Sequence, residues 1–397
     1  MIEEHHGFDR ILILADESAN WQIAGVRQLD RLLLGLDEFA EAMGMANKIE
    51  AVVFWKSEIP LSERLLPKKQ RITRVRLTEA SGGGGPEARI LTTRLFITRN
   101  ALTKFFSTTP PVKIEQPTVD LTEAWPQLFE QFERTCRSAT SAAEEHWRLL
   151  AHSGEIAAGE KYFLRHIGKS QDGMVSRFLN RPISRAFTRL LLNLPITPNL
   201  WTILIFALAP VACVFLIRGD YTGFLVATAV FQLINILDGC DGEIARAKYL
   251  DSERGRRLDA FCDFVANLIF VFCLGVGLFR QPSVSANLGL IYLVESLITS
   301  FIMASGFGRF FTPLLAGDTK GVVSRRQEDF KLAERFFGRV LPAFIYQLTQ
   351  RDVIYFVFLL LAIVNRASWI LHIVFAFSVI TLGFRLFRRS RQAAVET

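Results

Sequence analysis

The sequence predicts an α-helical integral membrane protein with six transmembrane helices, preceded by a soluble α/β domain. Three observations carry that reading. Half of the 397 residues are hydrophobic, 34 of them Phe, and the long apolar stretches lie in the C-terminal half. Charged residues nevertheless make up 21% of the chain, so a sizeable part faces water. Within the first 160 residues, short strand-like runs alternate with helical periodicity, the order expected of a doubly wound sheet. The division that follows is an α/β domain at 1–160, a juxtamembrane amphipathic segment at 161–195 and a six-span domain at 196–397.

In the first domain the strands fall at Arg10–Ala15, Glu50–Trp55, 72–77 and 90–97. A helix is predicted over Gln28–Ala42, where Leu29, Leu32, Leu33, Leu36 and Phe39 recur at helical spacing. The run Ser81-Gly82-Gly83-Gly84-Gly85-Pro86 reads as a flexible connection, because no helix signal follows it to complete a phosphate cradle. The first residues lack the basic start and apolar core of a cleaved signal peptide.

The juxtamembrane segment carries Lys161, Arg165, Lys169, Arg177, Arg181, Arg185 and Arg189. Phe178, Leu179, Ile183, Phe187, Leu190 and Leu191 give it an apolar face, which suits a helix lying on a membrane surface. Spans follow at 200–217, 221–237, 260–279, 286–305, 353–364 and 367–384. Each approaches the ~20 residues a helix needs to cross the hydrocarbon core, except the fifth, which must borrow flanking residues. A second amphipathic stretch falls at 331–346.

The net charge of +7 excludes little by itself, but its distribution argues against nucleic acid. Basic residues flank the apolar segments, where they set topology and meet anionic headgroups. Their excess on one side places both termini and residues 238–263 on the cytoplasmic side of an inner or plasma membrane. Cys136, Cys213, Cys240, Cys262 and Cys273 show no paired spacing and read as buried free thiols. Glu295 falls mid-span and predicts a hydrogen-bonded partner inside the helix bundle.

The chemistry concentrates between Asp238 and Asp263, where the pattern D-x2-D-G-x2-A-R-x8-G-x3-D-x3-D is filled by Asp238, Asp241, Gly242, Ala245, Arg246, Gly255, Asp259 and Asp263. Residues three or four apart share a helix face, so Asp238 and Asp241 project together, as do Asp259 and Asp263. The polar link 248–254 lets the two helices fold antiparallel and bring the carboxylate pairs together. Four carboxylates at a membrane edge repel one another and resist desolvation. Two divalent cations would cancel the charge, and all-oxygen ligation suits Mg2+ or Mn2+. Gly242, Ala245 and Gly255 leave a hollow beside the acids. Glu243 points away from them and reads as structural or solvated.

This pattern resembles the signature of the CDP-alcohol phosphotransferases, with no departure at its eight positions; the likeness extends over about 172–387 and includes Pro198-Asn199-Leu200-Trp201-Thr202 at the start of the first span. Asp172-Gly173, Ser176-Arg177, Asn180-Arg181 and Ser184 resemble the segment before the first span in bifunctional inositol-phosphate cytidylyltransferase and di-inositol-phosphate-phosphate synthase enzymes. The resemblance implies attack of an acceptor hydroxyl on the β-phosphorus of a CDP-alcohol, with CMP leaving. It implies that Asp238, Asp241, Asp259 and Asp263 hold two divalent cations, Mg2+ or Mn2+, and that Asp263 is also the general base. Gly242, Ala245, Arg246 and Gly255 would line the CDP site. For a polyol-phosphate acceptor, Lys169, Arg177, Arg181, Arg309 and Arg351 are the candidate phosphate ligands. The donor is CDP-diacylglycerol or a CDP-polyol, the surroundings are membrane lipids, and the family suggests a homodimer.

The first domain resembles sugar-type nucleotidyltransferases through strand 11–15 and the helix-leading stretch from Gly25 to Leu33. The family's G-x-G-T-R phosphate loop is replaced by Asp16-Glu17-Ser18-Ala19-Asn20, which implies a domain degenerate as a catalyst. Two other readings stand beside this one: a bifunctional enzyme with an active nucleotidyltransferase, and a cation-binding membrane carrier.

Overall fold

The structure is a computed structural model that describes residues 10–45, 49–55, 74–78, 87–98, 101–108, 112–113, 121–140, 147–166, 174–315 and 350–396. The glycine run 81–86, Lys169 and the amphipathic stretch 331–346 lie outside these. The chain forms two compact units, one built on residues 1–168 with 192–194 and 246–249, the other on 169–191, 195–245 and 250–397.

The first unit is built on a five-stranded sheet. Its central strand β1 (Arg10–Ala15) runs Ile-Leu-Ile-Leu-Ala from Ile11, all buried, as expected of a strand covered on both faces. The short pairs β2 (Gln22–Ile23) and β3 (Val26–Arg27) form a hairpin that leads into α1 (Gln28–Ala42). The helix has the bounds predicted from periodicity, and Leu29, Leu32, Leu33, Leu36 and Phe39 form its buried face. The remaining strands are β4 (Glu50–Trp55), β5 (Arg74–Thr78), β6 (Glu87–Thr92), β7 (Leu95–Ile97), β8 (Val112–Lys113) and β9 (Trp147–Leu149). The sheet order is β5-β4-β1-β6-β8, parallel except for β8, and β7 pairs separately with β9. The single strand expected at 90–97 is therefore two, broken by a turn at Thr93-Arg94. Helices α2 (Leu102–Thr108), α3 (Leu121–Thr140) and α4 (Ile156–His166) complete the unit. Phe105, Phe106, Trp125, Phe132 and Trp147 join the sheet in one core.

The second unit is helical. A π-helical turn (Ser176–Asn180) leads into α5 (Arg181–Leu192). Thr197 caps the next helix by accepting from Leu200 N at 3.3 Å, and Pro198 occupies its first position, where a missing N–H is harmless. That helix is interrupted at Ala207, giving α6 (Pro198–Phe206) and α7 (Leu208–Ile217). Pro210 explains the break: its ring crowds the carbonyl four residues earlier, on Phe206. Next come α8 (Tyr221–Ala247), α9 (Glu253–Arg280), α10 (Ala286–Leu315), α11 (Arg351–Ile363) and α12 (Ala367–Glu396).

Among the described residues, four stretches are long and apolar enough to cross a membrane: Pro198–Ile217, Tyr221–Ala247, Glu253–Arg280 and Ala286–Phe307. Two later stretches are shorter, the 13 residues of α11 and the apolar part of α12, Ala367–Gly383. At 1.5 Å per residue, α11 spans only about 20 Å of a hydrocarbon core about 30 Å thick. Glycines on α9 allow close helix approach. A Cβ on Gly275 would lie 2.4 Å from Ser296 Cβ of α10, and one on Gly277 would lie 2.0 Å from the Leu216 carbonyl oxygen of α7. Glu295 finds its partner on another helix, as the sequence suggested, with Oε1 2.9 Å from His372 Nδ1 of α12. All five cysteines are buried and none forms a disulfide.

Candidate active site

The carboxylates are carried by α8 and α9, joined by the short link 248–252. The Phe231–Phe270 ring pair at 4.6 Å and the proximity of Asp241 to Asp259 show that the two helices run antiparallel. Ser252 caps α9 by accepting from Gly255 N at 3.1 Å, which sets Asp259 about two turns inside the helix and Asp263 about three.

Asp238, Asp241 and Asp259 each offer a carboxylate oxygen, and these atoms all lie within 4.8 Å of one another. Asp263 joins them through Arg351, whose Nη1 lies 3.3 Å from Asp238 Oδ2 and also pairs with Asp263 Oδ2. The guanidinium stands 5.9 Å from the centre of the Tyr355 ring. The Tyr355 hydroxyl donates to Asn267 Oδ1 at 2.5 Å, and the Asn267 amide donates to the Asp263 carbonyl oxygen at 2.7 Å. Thr202 of α6 donates to Asp241 Oδ2 at 2.7 Å. The Trp201 indole donates to the Leu237 carbonyl at 3.1 Å and ties α6 to α8 one residue before Asp238.

One observation bears directly on a metal. Asp259 Oδ1 is buried and has no hydrogen-bond partner among the described residues. A desolvated carboxylate oxygen without a donor is costly, and a cation shared with the neighbouring acids removes that cost. One arginine balances only one of four carboxylate charges. The donor set is all oxygen, which suits Mg2+ or Mn2+. The residues present fit the group.

Beside the acids lies a hollow lined by Pro198, Asn199, Thr202, Asp241, Gly242, Ala245, Leu250, Asp251, Ser252, Gly255, Arg256 and Asp259. Gly242, Ala245 and Gly255, predicted from the pattern, are among them; Arg246 is not. A Cβ on Gly255 would lie 2.9 Å from Asn199 Oδ1, so the position admits no larger residue without a shift.

The candidate acceptor residues separate. Arg351 lies in the carboxylate cluster. Arg177 is exposed on the π-helical turn. Arg181 departs from expectation: its Nη1 is 2.8 Å from Glu243 Oε1 and the pair is buried, so this guanidinium is not open to a phosphate. Lys169 and the side chain of Arg309 lie outside the described residues. Sequence reasoning missed Thr202, Asn267 and Tyr355. An Asn one turn beyond Asp263 on the same face was the available signal.

Opposed aspartates on two membrane-capable helices thus stand beside a hollow lined in part by small residues. Residues 195–315 match the family described as CDP-alcohol phosphatidyltransferase. That segment is similar to the domains of this family. The chain is 34% identical over 166 residues to a "Bifunctional IPC transferase and DIPP synthase" from Rubrobacter xylanophilus, covering 42% of this chain and 37% of that protein. A protein of the same name from Thermococcus kodakarensis is 30% identical over 175 residues, 44% of this chain and 39% of the other. A third, from Archaeoglobus fulgidus, is 32% identical over 102 residues, 26% and 20% of the two chains. The match thus spans less than two-fifths of each relative's length.

Proposed function

We propose that the protein transfers a phosphoalcohol group from a CDP-alcohol to an acceptor hydroxyl and releases CMP, in the synthesis of a phospholipid or a related phosphodiester. The observation that carries this is the carboxylate cluster: three oxygens within 4.8 Å beside a small-residue hollow, inside the segment that matches the family. Asp238, Asp241, Asp259 and Asp263 would hold two divalent cations, Mg2+ or Mn2+. When bound, these neutralise charge on the diphosphate and on the departing CMP.

The chain's own residues supply the rest. Asp263 takes the proton of the acceptor hydroxyl as its oxygen bonds to the β-phosphorus and the phosphoanhydride bond to CMP breaks. Arg351 orients Asp263, with the Tyr355–Asn267 pair steadying the backbone beneath it. Thr202 holds Asp241. Gly242, Ala245 and Gly255 admit the nucleotide; Arg246, outside the lining of the hollow, is the pattern's candidate for its phosphate. Arg351, already turned toward the reacting centre, is the acceptor-phosphate ligand best supported among the candidates, with Arg177 further out.

The remaining assignments belong to this reading. The chain crosses the membrane six times, with α11 and α12 as the last two spans, and the basic flanks place both termini and the site on the cytoplasmic side. It acts as a homodimer among membrane lipids. The names of the relatives and the α/β unit favour a CDP-polyol donor and a polyol-phosphate acceptor over CDP-diacylglycerol. The α/β unit is nucleotidyltransferase-like but silent. Its ligand crevice is expected at the carboxyl ends of β1 and β6, where the strand order reverses. Side chains of the unit itself meet there: Arg94 Nε lies 2.7 Å from Asp16 Oδ2, Ser18 N donates to Asp16 Oδ1 at 2.9 Å, and Ser18 Oγ is 2.7 Å from Thr93 Oγ1.

The test supplies labelled CDP-diacylglycerol and CDP-inositol with Mg2+ or Mn2+ and a panel of alcohols, and follows CMP. Metal-dependent CMP release that falls by about 10²–10⁴ in Asp263→Asn supports the assignment. Metal-dependent ion flux without CMP would make the protein a carrier instead.

A further inference from the structure

Helix α8 has a second face that the aspartate pattern leaves unused. Gly239 and Glu243 lie one turn apart on it, turned away from Asp238 and Asp241. Glu243 is 1% exposed, and three donors satisfy both of its oxygens. Arg181 Nη1 and Ser184 Oγ reach Oε1 at 2.8 Å and 3.2 Å, and Thr188 Oγ1 reaches Oε2 at 2.6 Å. These donors sit at successive turns along one stripe of α5. Gly239 makes room for them, since a Cβ there would lie 3.3 Å from Arg181 Nη1. The contact continues along α8: the Cys240 thiol donates to the Ser184 carbonyl at 3.4 Å, and the Gln232 amide donates to Asn180 Oδ1 at 3.2 Å.

Adhesion alone does not account for a buried ion pair. Apolar side chains of similar volume hold helices together at least as well, because they carry no desolvation penalty. Three donors converging on one carboxylate supply direction instead. Carboxylate oxygens stand about 5–6 Å from a helix axis, so turning α8 by about 20° would carry those of Asp238 and Asp241 through about 2 Å. That displacement is as long as a metal–oxygen bond of about 2 Å.

We propose that Glu243, held by Arg181, Ser184 and Thr188, is a positioning residue that fixes the rotation of α8 and thereby aims Asp238 and Asp241 at Asp259. The inference rests on the reading of the aspartate cluster as the metal and CDP site.

The test uses the full chain in detergent or nanodiscs. It measures Mn2+ affinity by paramagnetic resonance with Mn2+ alone, thermal unfolding, and the kcat and KM of CMP release. The variants are the apolar pair Arg181→Met with Glu243→Leu, the single Thr188→Val, and Asp259→Asn as a control on the metal site. The expected result is an apolar pair that unfolds near the wild-type temperature yet binds Mn2+ about 10–100-fold more weakly. Its kcat falls while the acceptor KM stays unchanged, and Thr188→Val shifts affinity in the same direction by less. A folded apolar pair with Mn2+ affinity within about twofold of wild type overturns the proposal, since a merely structural contact predicts that equality. Should the pair not fold, Thr188→Val decides, and unchanged affinity there overturns it. A wild-type chain that binds Mn2+ no better than Asp259→Asn defeats the metal-site reading and this inference with it. Tight wild-type binding with insensitive variants defeats only the positioning role.

Discussion

Among the described residues, Asp259 Oδ1 is buried without a donor, whereas Asp241 on the opposing helix receives the Thr202 hydroxyl. The asymmetry marks Asp259 as the carboxylate that most needs a cation. Asp259→Asn is therefore expected to abolish measurable Mn2+ binding at concentrations that saturate the wild type, while the fold survives because a neutral amide is easier to bury. Isothermal titration with Mn2+ checks this. Outside the helical unit, burial together with the nearby Glu133 pushes the Cys136 thiol up to about 12. Below its ordinary 9.0, folded and unfolded chains both keep that proton and pH has no effect through it. Above that value the unfolded chain loses the proton first, so the stability of the α/β unit falls as pH rises from about 9 toward 12. Thiol alkylation at pH 8 should accordingly be slow until denaturant is added. At this scale the four aspartates and their faces were legible, because i, i+3 and i, i+4 spacing is a local property. The parts of Thr202 and Tyr355 were not, and Arg351 was legible only as a candidate phosphate ligand, because all three arrive from other helices.

The elements show how close packing depends on single residues. Gly277 of α9 lies so near the Leu216 carbonyl that any side chain forces α7 and α9 apart. Gly277→Val should destabilise the helical unit by about 1–3 kcal/mol or more, read as a lower unfolding temperature in detergent. Two departures from expectation belong here. The run 90–97 is apolar enough to read as one strand, yet it turns at Thr93-Arg94, which lets both side chains reach Asp16 and its neighbour Ser18. Periodicity records burial and does not register a turn whose residues are held by a distant loop. The first span is likewise two helices, and Pro210 was a visible signal for that interruption.

For the molecule as a whole, ligand linkage gives the broadest test. A cation bound only by the folded chain stabilises it by RT ln(1 + [L]/Kd), about 2.7 kcal/mol at a hundredfold excess over Kd. Mn2+ should raise the unfolding temperature of the helical unit and EDTA should reverse the rise; no response would contradict the metal site. The α/β unit is expected to release no diphosphate from CTP and a sugar phosphate, because Asp16-Glu17-Ser18-Ala19-Asn20 stands where the resemblance calls for a G-x-G-T-R phosphate loop. Diphosphate release at a rate comparable with CMP release would instead establish a bifunctional enzyme.

Periodicity, spacing and composition sufficed for the α/β-then-helical order, the bounds of α1, four of the six expected spans as membrane-capable stretches and the pairing of aspartates on two faces. Each of these depends on neighbours within a few turns of the chain. Packing alone decided that Arg351 meets Asp238 and Asp263, that Arg181 serves Glu243, and that Asp16 closes on Arg94. Those partners lie 62 to 113 residues apart, and no local pattern records which distant side chain fills a given space.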